Sequence, residues 1–178
     1  MEKVSNIIGY FKDELSEVAK EGEVVSWAYI SIEYLLGYTR SDCIINANRD
    51  VSKDVSDRFK QIVSALKTNK PLQYILGETE FYGLKFKVNE YVLIPRQDTE
   101  ELVFYVKNTI KSFVKKDVIS LLDIGTGSGC IPITLKKIFP KMDIHALDVS
   151  ENALKVAQEN AEILNTDIAF YQKDILEP

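Results

Sequence analysis

The sequence predicts an α/β protein in which a small helical bundle is followed by a β-hairpin and then by a parallel-sheet domain. Three features predict this order: helical spacing of apolar residues up to residue 70, an alternating stretch at 71–92, and an apolar run with a glycine-rich loop after residue 117. The hydrophobic fraction of 46% and the charged fraction of 28% are those of an ordinary soluble globular protein. The predicted domains are a helical domain at 1–70, a hairpin linker at 71–92 and a sheet domain at 93–178.

The first seventy residues are predicted to form four short helices. Gly22 is expected to end the first helix, and Ser26 is expected to cap the second, which ends at Gly37. Ser41 and Asp42 are expected to start the third. Apolar residues line one face of each helix, which is typical of a small bundle. The predicted spans are 4–19, 26–36, 43–47 and 52–67.

The stretch at 71–92 changes to alternating apolar residues around Gly83, which predicts a β-hairpin. Tyr91–Ile94 is predicted to be a short extended segment, because Pro95 restricts the residue before it. The remaining predicted elements are a helix opened by Asp98 and Glu101 and running to Phe113, a strand at 118–123, a helix at 130–139, a strand at 143–148, a helix at 151–164 capped by Ser150, and a strand at 168–171.

A glycine-rich loop lies between the strand that Asp123 closes and the helix that begins at Cys130. Gly125, Gly127 and Gly129 allow sharp backbone turns and a close approach to a ligand. The small hydroxyl residues Thr126 and Ser128 separate them. This order of strand, glycine loop and helix is typical of the first βα unit of a nucleotide-binding α/β fold.

The spacing of the loop separates it from two common phosphate-binding motifs. The third glycine follows the second too closely for the dinucleotide fingerprint, and no Lys-Ser or Lys-Thr follows the glycines. Acids come at or after three successive strands: Asp123, Asp148 and Asp174. Each alone could cap a loop or a helix, but together they favour a neutral or cationic adenosyl ligand over a pyrophosphate.

Charge and cysteine content restrict the other function classes. The net charge of −5 gives no basic patch for a nucleic acid backbone. Cys43 and Cys130 are far apart and show no metal-ligand spacing, which favours a reduced cytoplasmic setting. No membrane-spanning segment and no signal peptide are predicted. His145 is expected to be a packed or surface residue, and the apolar residues of 27–36 are expected to form core.

Two motifs, LLDIGTGSGCIPITL and ALDVSENALKVAQENA, resemble those of class I S-adenosylmethionine-dependent methyltransferases. The upstream block PLQYILGETEFYGLKFKVNEYVLIPRQDTEELV is similar to that of the HemK/PrmC family, the peptide chain release factor N5-glutamine methyltransferases. Gln97 replaces the second proline of the family's L-I-P-R-P-x-T-E motif. The resemblance covers essentially the whole chain and is strongest from Pro71 onward.

The resemblance implies a Rossmann-like methyltransferase domain that uses S-adenosylmethionine to methylate the glutamine side chain in the Gly-Gly-Gln loop of class 1 release factors. It implies that the helical domain holds this protein substrate. The cofactor contacts that it implies are Asp123 and the loop around the methionine portion, Asp148 on the ribose, and the Asp174–Ile175 pair near the adenine. The residues that it assigns to cofactor binding are Asp123, Gly125, Thr126, Gly127, Ser128, Gly129, Asp148, Val149, Asp174 and Ile175.

The catalytic Asn-Pro-Pro-Tyr motif of the family does not occur in this sequence, because none of the five prolines follows an asparagine. We therefore interpret the chain as an N-terminal fragment that is inactive alone and has no assigned catalytic residue. Only the 3-2-1 half of the family's sheet can then form. The strand at 118–123 is expected to be an exposed apolar edge through which the chain self-associates.

Other interpretations remain open at this point. A methyltransferase that acts on nucleic acid bases would share the fold, although the acidic surface disfavours it. A non-catalytic fragment that docks a partner through the helical domain is a second alternative, which release-factor affinity without cofactor would favour. A nicotinamide-dependent oxidoreductase is disfavoured by the glycine spacing.

Overall fold

The computed structural model describes residues 2–113 and 120–177, which divide into two compact units, Met1–Leu76 and Gly77–Pro178. No helix within these described ranges is long and apolar enough to cross a membrane. Val118 and Ile119 of the predicted central strand lie outside the described residues. The elements are α1 Ser5–Leu15, α2 Glu21–Leu36, α3 Arg40–Ile45, α4 Lys53–Leu66, α5 Leu72–Leu76, β1 Glu78–Phe81, β2 Leu84–Lys87, α6 Gln97–Phe113, β3 Ser120–Ile124, α7 Cys130–Ile138, β4 Asp143–Asp148, α8 Glu151–Ile163 and β5 Ala169–Gln172.

The first unit is a bundle of α1 to α5 around one apolar core. Phe11 of α1 meets Phe59 of α4 edge to face, with ring centroids 6.2 Å apart. Ile7, Leu15 and Ile32 are also fully buried in this core. Part of the predicted apolar stripe of α2 lies in the same cluster, which confirms that it forms core.

Several helix boundaries in the bundle differ from the prediction, and α1 ends at Leu15 instead of running to residue 19. Gly22 does not end a helix but lies in the first turn of α2, which begins at Glu21 and contains Ser26 in its interior. A glycine there costs little, because the first-turn amides have no intrahelical acceptor. The third helix is capped by Thr39, and Thr39 and Asp42 form a capping box, so Ser41 is not its start. The predicted end of α2 at Gly37 is confirmed, and Ser52, the first residue of the fourth predicted span, is the N-cap of α4.

The residues of the predicted linker adopt two kinds of structure. Leu72–Leu76 forms helix α5 with both terminal leucines buried, whereas an extended lead-in to the hairpin was expected. The hairpin itself is confirmed over 78–87, and its turn places Tyr82 at φ 52° and Gly83 at φ 75°. Two successive positive φ angles are typical of the type I′ turn that favours hairpins. The predicted extended segment Tyr91–Ile94 is instead a turn followed by irregular chain.

Helix α6 begins at Gln97, one residue before the predicted capping residue Asp98. Asp98 therefore lies in the first turn of the helix. Its charge is favourable there, because the N-terminal end of a helix carries partial positive charge. The predicted capping role of Asp98 was wrong, although the predicted helix exists.

The second unit contains a parallel sheet in the order β3-β4-β5. Ala146 pairs with Asp123 of β3 and with Phe170 of β5, so these residues share one face of the sheet. Helices α7 and α8 pack against this face. On the opposite face, Leu122 and Tyr171 are about half exposed, at 51% and 49%. The carboxyl ends of all three strands lie at the same edge, where the glycine loop begins.

Candidate functional site

The glycine loop follows β3 and turns back against β4. Gly125, Gly127 and Gly129 have φ angles of 76°, 54° and 77°, a region that side chains with a Cβ rarely adopt. The amides of Gly125 and Thr126 both donate to the carbonyl of Leu147, at 2.9 and 3.0 Å. The backbone turns tightly onto the end of β4, and this turn explains why glycine is needed at these three positions.

Gly129 has a second reason to be glycine. A Cβ built there would lie 2.9 Å from Ile133 Cδ1 and 3.2 Å from the Cβ of Ala157 in α8. A Cβ at Gly125 or Gly127 would meet no described atom within 4 Å. The loop is therefore packed tightly where helix α7 begins and is open to a ligand in its first half.

Asp148 closes β4 and ties the glycine loop to the next helix. Its Oδ2 accepts from the amide of Gly127 at 2.9 Å, and its Oδ1 accepts from the amide of Ser150 at 2.9 Å. Its carbonyl accepts from the amide of Lys173 at 3.2 Å, just after β5. The side chain is nearly buried. Each carboxylate oxygen retains a further lone pair, so the group can still accept from a ligand hydroxyl.

Asp123 lies in β3 with Ile124 as the last strand residue after it. Its Oδ2 is buried and has no hydrogen-bond partner among the described residues, as is also true of the hydroxyl of Thr126. Burial raises the pKa of the Asp123 carboxyl and the nearby charge of Asp148 adds to this increase, whereas the Thr126 hydroxyl lowers the pKa by its proximity, although the two groups do not reach hydrogen-bond geometry. A buried acceptor without a partner is costly. A donor or cation from a ligand would satisfy it.

The third predicted acid is placed at the same edge of the sheet but makes a local bond. Asp174 Oδ1 accepts from the amide of Leu176 at 2.9 Å, within its own turn. Val149 and Ile175, which follow β4 and β5, are 65% and 54% exposed. The structure thus joins Asp148 directly to the glycine loop and places Asp123 close enough to interact with its charge. Asp174, Val149 and Ile175 lie farther out at the same edge of the sheet.

Two residues with reactive side chains are not part of a catalytic arrangement. Burial raises the pKa of the Cys130 thiol to about 11, so it stays protonated at neutral pH and is no nucleophile. His145 lies on the open face of the sheet, as a surface histidine, with Nε2 3.0 Å from Asp143 Oδ2 and Nδ1 3.1 Å from the Tyr171 hydroxyl. Among the described residues, no cluster of His, Cys, Asp and Glu could hold a metal ion.

Sequence reasoning missed Asn160 of α8, which is completely buried beside the loop. Its side chain donates to the carbonyl of Ser128 at 2.9 Å and bonds both backbone groups of Lys87. The available signal was its position in the apolar stripe of the helix. Ala153, Ala157 and Asn160 recur at helical spacing, so a polar residue there needs partners in the core.

The comparisons with known families agree with this architecture. Residues 7–77 match the PrmC N-terminal domain, and residues 107–178 match the methyltransferase small domain. The parallel sheet with its glycine loop, preceded by a helical unit, thus defines part of a Rossmann-like methyltransferase. Within that class, the chain is similar to the HemK/PrmC family over both matched regions.

Two curated relatives carry the name release factor glutamine methyltransferase. The protein of Flavobacterium psychrophilum is 41% identical over 175 residues, which is 98% of this chain and 61% of that protein. The protein of Bacillus subtilis is 36% identical over 179 residues, which is 100% of this chain and 61% of that protein. The chain therefore spans about three fifths of the length of these relatives.

A solved structure of similar fold is that of the tRNA (uracil-54, C5)-methyltransferase of Pyrococcus abyssi in complex with S-adenosyl-L-homocysteine. The similarity covers 57% of this chain and 24% of that chain, at 20% sequence identity. The TM-score is 0.46.

Proposed function

We propose that the chain carries the cofactor-binding half of an S-adenosylmethionine-dependent methyltransferase, together with a domain that recognises its protein substrate. The proposed substrate is the glutamine side chain in the Gly-Gly-Gln loop of a class 1 peptide chain release factor. The names of the curated relatives support this substrate. The observation that carries the cofactor assignment is the buried Asp123 carboxyl, which has an oxygen without a partner beside a glycine loop.

The chemistry of the residues present fits S-adenosylmethionine part by part. Asp123 would pair with the cationic amine of the methionine portion, which would satisfy its free oxygen and reverse the effect of burial on its pKa. Asp148 would accept from the ribose hydroxyls, because its oxygens already face the loop. Val149 and Ile175 expose apolar surface suited to an adenine ring, with Asp174 available to its amine.

The bound cofactor would supply a methyl group activated on a sulfonium. The residues of this chain would bind and orient it, since the loop amides and Asp148 are already fixed by backbone bonds. An amide nitrogen is a poor nucleophile and must be oriented by acceptors for its protons. The family supplies these acceptors from Asn-Pro-Pro-Tyr, which is absent from the sequence. We therefore expect this chain alone to bind cofactor without turnover.

The helical unit offers a docking surface for the release factor. A groove in this unit is lined by basic and apolar side chains, among them Arg58, Lys70, Ile62 and Tyr34. The Arg58 guanidinium lies 5.9 Å from the centre of the Tyr34 ring. A partner segment that carries an acidic and an apolar side chain would complement this groove.

Calorimetric titration with S-adenosylhomocysteine tests the proposed cofactor site. We expect binding by the unaltered chain and a loss of about 1.5–3 kcal/mol, roughly ten- to a hundredfold, in Asp123→Asn, because a charge-assisted bond is removed. Methylthioadenosine lacks the methionine amine, so its affinity should change less than about twofold on the same scale. Asp143→Asn is the matched control, because Asp143 lies at the other end of β4 and pairs with His145.

The pH dependence of the same titration gives a second test. Affinity for S-adenosylhomocysteine should fall as the pH drops through the raised pKa of Asp123, and Asp123→Asn should lose this dependence.

The pH dependence of folding stability gives a further test. A raised pKa of Asp123 in the folded state means that the free energy of unfolding decreases as the pH rises from the unfolded-state pKa to the folded-state pKa. Asp123→Asn should therefore be more stable than the unaltered chain at neutral pH without ligand. No binding of S-adenosylhomocysteine at any pH would refute the proposal.

A methylation assay with a release factor tests the second part of the proposal. We expect no transfer of the methyl group from S-adenosylmethionine by this chain, even where cofactor binding is measured. The assay uses a purified release factor and labelled S-adenosylmethionine. Turnover by the chain alone would contradict the proposed need for the Asn-Pro-Pro-Tyr acceptors.

A further inference from the structure

We infer that Asn160 is a positioning residue that holds the β1–β2 hairpin and the glycine loop in one fixed arrangement and so sets the shape of the cofactor site. Its effect on ligand affinity rests on the function proposed above, whereas its effect on the loop does not. The inference starts from a single buried side chain that bonds two separate segments.

The hydrogen bonds of Asn160 fix the orientation of its amide. Nδ2 donates to the carbonyls of Lys87 and Ser128, at 3.0 and 2.9 Å, and Oδ1 accepts from the amide of Lys87 at 2.6 Å. Both donor hydrogens are used, so a flipped amide would place oxygen against two carbonyls. The side chain bonds to Lys87 much as a neighbouring strand would.

The loop end of this contact lies where the glycine loop is most constrained. The carbonyl of Ser128 is held by Asn160, and the amide of Gly129 in the same peptide unit donates to the Thr126 carbonyl at 2.9 Å. Ala157, one turn earlier on α8, leaves no room for a Cβ at Gly129. Asn160 and Ala157, on one face of α8, therefore fix the position of the Ser128–Gly129 peptide unit relative to this helix.

The hairpin end of the contact is held from two sides. Asn160 of α8 holds Lys87 at the end of β2, and Glu100 of α6 accepts from the amide of Tyr82 in the turn. The Tyr82 hydroxyl also lies 2.9 Å from Lys107 Nζ. The hairpin is thus anchored to α6 at its turn and to α8 and the glycine loop at its open end. Loss of the Asn160 amide would release the second anchor and the loop together.

Hydrogen exchange of the ligand-free chain tests the coupling directly. In Asn160→Ala, the amides of Lys87 and Gly129 should both exchange about tenfold faster or more, because each depends on the same side chain. Val156→Ala is the matched control, because it truncates another buried residue of the same helix. In Val156→Ala, the exchange rate of the Gly129 amide relative to the rates of the other loop amides should be unchanged. Faster exchange at Lys87 with no change at Gly129 would overturn the inference.

Calorimetry then separates positioning from stability. At a temperature where circular dichroism shows each variant folded, Asn160→Ala should bind S-adenosylhomocysteine about tenfold more weakly, and Val156→Ala within about twofold of the unaltered chain. If Asn160→Ala and Val156→Ala both lose affinity in proportion to their loss of thermal stability, Asn160 has only a structural role.

Should Asn160→Ala not fold, Asn160→Asp replaces it in both measurements, because the aspartate keeps the acceptor for the Lys87 amide and removes the two donors. If the unaltered chain does not bind, the proposed function fails and the exchange result still decides the coupling.

Discussion

The two compact units cover their apolar residues to different extents. In Met1–Leu76, residues such as Phe11 and Phe59 are fully buried by helices of the same unit. In Gly77–Pro178, the described residues cover one face of the sheet, and Leu122 and Ile124 remain about half exposed on the other. The first unit thus encloses one core, with Ile44 and Ile45 exposed outside it, whereas the described part of the second unit covers one side of its sheet.

This difference shows what an apolar pattern can and cannot predict. A helical stripe needs one partner face, and residues from all four predicted stripes meet in one core, although Ile44 and Ile45 of α3 are 79% exposed. The continuous apolar run of β3 predicts a strand that is buried on both faces. The described residues cover only the side that carries Leu121. The apolar pattern predicts which faces of a helix or strand need to be buried, whereas the structure shows which of those faces are buried.

The largest expected effect comes from removing a core ring of the helical unit. Phe59→Ala should lower the free energy of unfolding of this unit by about 3–5 kcal/mol, because it leaves a cavity beside Phe11. Trp27 is the only tryptophan of the chain and packs on this core, so its fluorescence reports this unit during denaturation. Binding of S-adenosylhomocysteine to the second unit should remain.

The matched variant is Leu122→Ala on the open face of the sheet. It should cost less than about 1 kcal/mol, because half of the leucine side chain is already in water. Its effect should appear in circular dichroism and not in the Trp27 transition. If Phe59→Ala removed cofactor binding and both transitions together, the two units would unfold as one and the comparison between them would fail.

The parts of the fold that depend on local chemistry could be predicted from the sequence. Ser52 and Ser150 cap the helices that follow them, and Gly37 ends α2 in a left-handed conformation. Each of these depends on one side chain and the backbone within a turn of it. The glycine loop was predictable for the same reason, because its φ angles exclude most other residues.

The parts that depend on distant contacts could not be predicted in this way. Gly22 was expected to break a helix, but it lies in the first turn of α2, where a glycine costs less than in a helix interior, and burial of Val24 and later residues stabilises the helix. The role of Asn160 depends on Lys87, which is far away in sequence. The bond between Asp148 and Gly127 joins the end of β4 to the glycine loop, two segments that are 21 residues apart, so the order of residues alone did not predict it.

Glycine replacements give a smaller effect that sharpens the contrast within the second unit. Gly129→Ala should destabilise it by about 2 kcal/mol or more, because it adds a strained φ and contacts with Ile133 and Ala157. Gly127→Ala has the strained φ without those contacts and should cost about 1 kcal/mol. Circular dichroism during denaturation measures both.

Ligand affinity should reverse the order of these two variants. A Cβ at Gly127 would enter the open space beside the amide that Asp148 holds, so Gly127→Ala should weaken S-adenosylhomocysteine more than its stability loss predicts. Equal costs in stability for the two variants would show that the packing of α8 on the loop is not as tight as the distances indicate.

A further expected effect concerns the exposed edge of β3. This strand pairs with β4 on one side, and no described strand pairs with its other side. We expect the chain to self-associate through this edge, because unpaired strand amides and half-exposed Leu122 and Ile124 favour pairing with a second copy. Ile124→Lys should raise the midpoint concentration of association about tenfold, which is about 1.4 kcal/mol. Sedimentation velocity over a concentration series measures this.

A charge-matched control distinguishes the edge from general repulsion between copies. Tyr105→Lys adds the same charge on α6, where Tyr105 is 66% exposed and its ring lies against that of Phe104. If association runs through β3, Tyr105→Lys should leave the midpoint nearly unchanged. An equal shift in both variants would assign association to net charge or to the aromatic surface of α6. A chain that stays monomeric at high concentration would contradict the predicted self-association through the β3 edge.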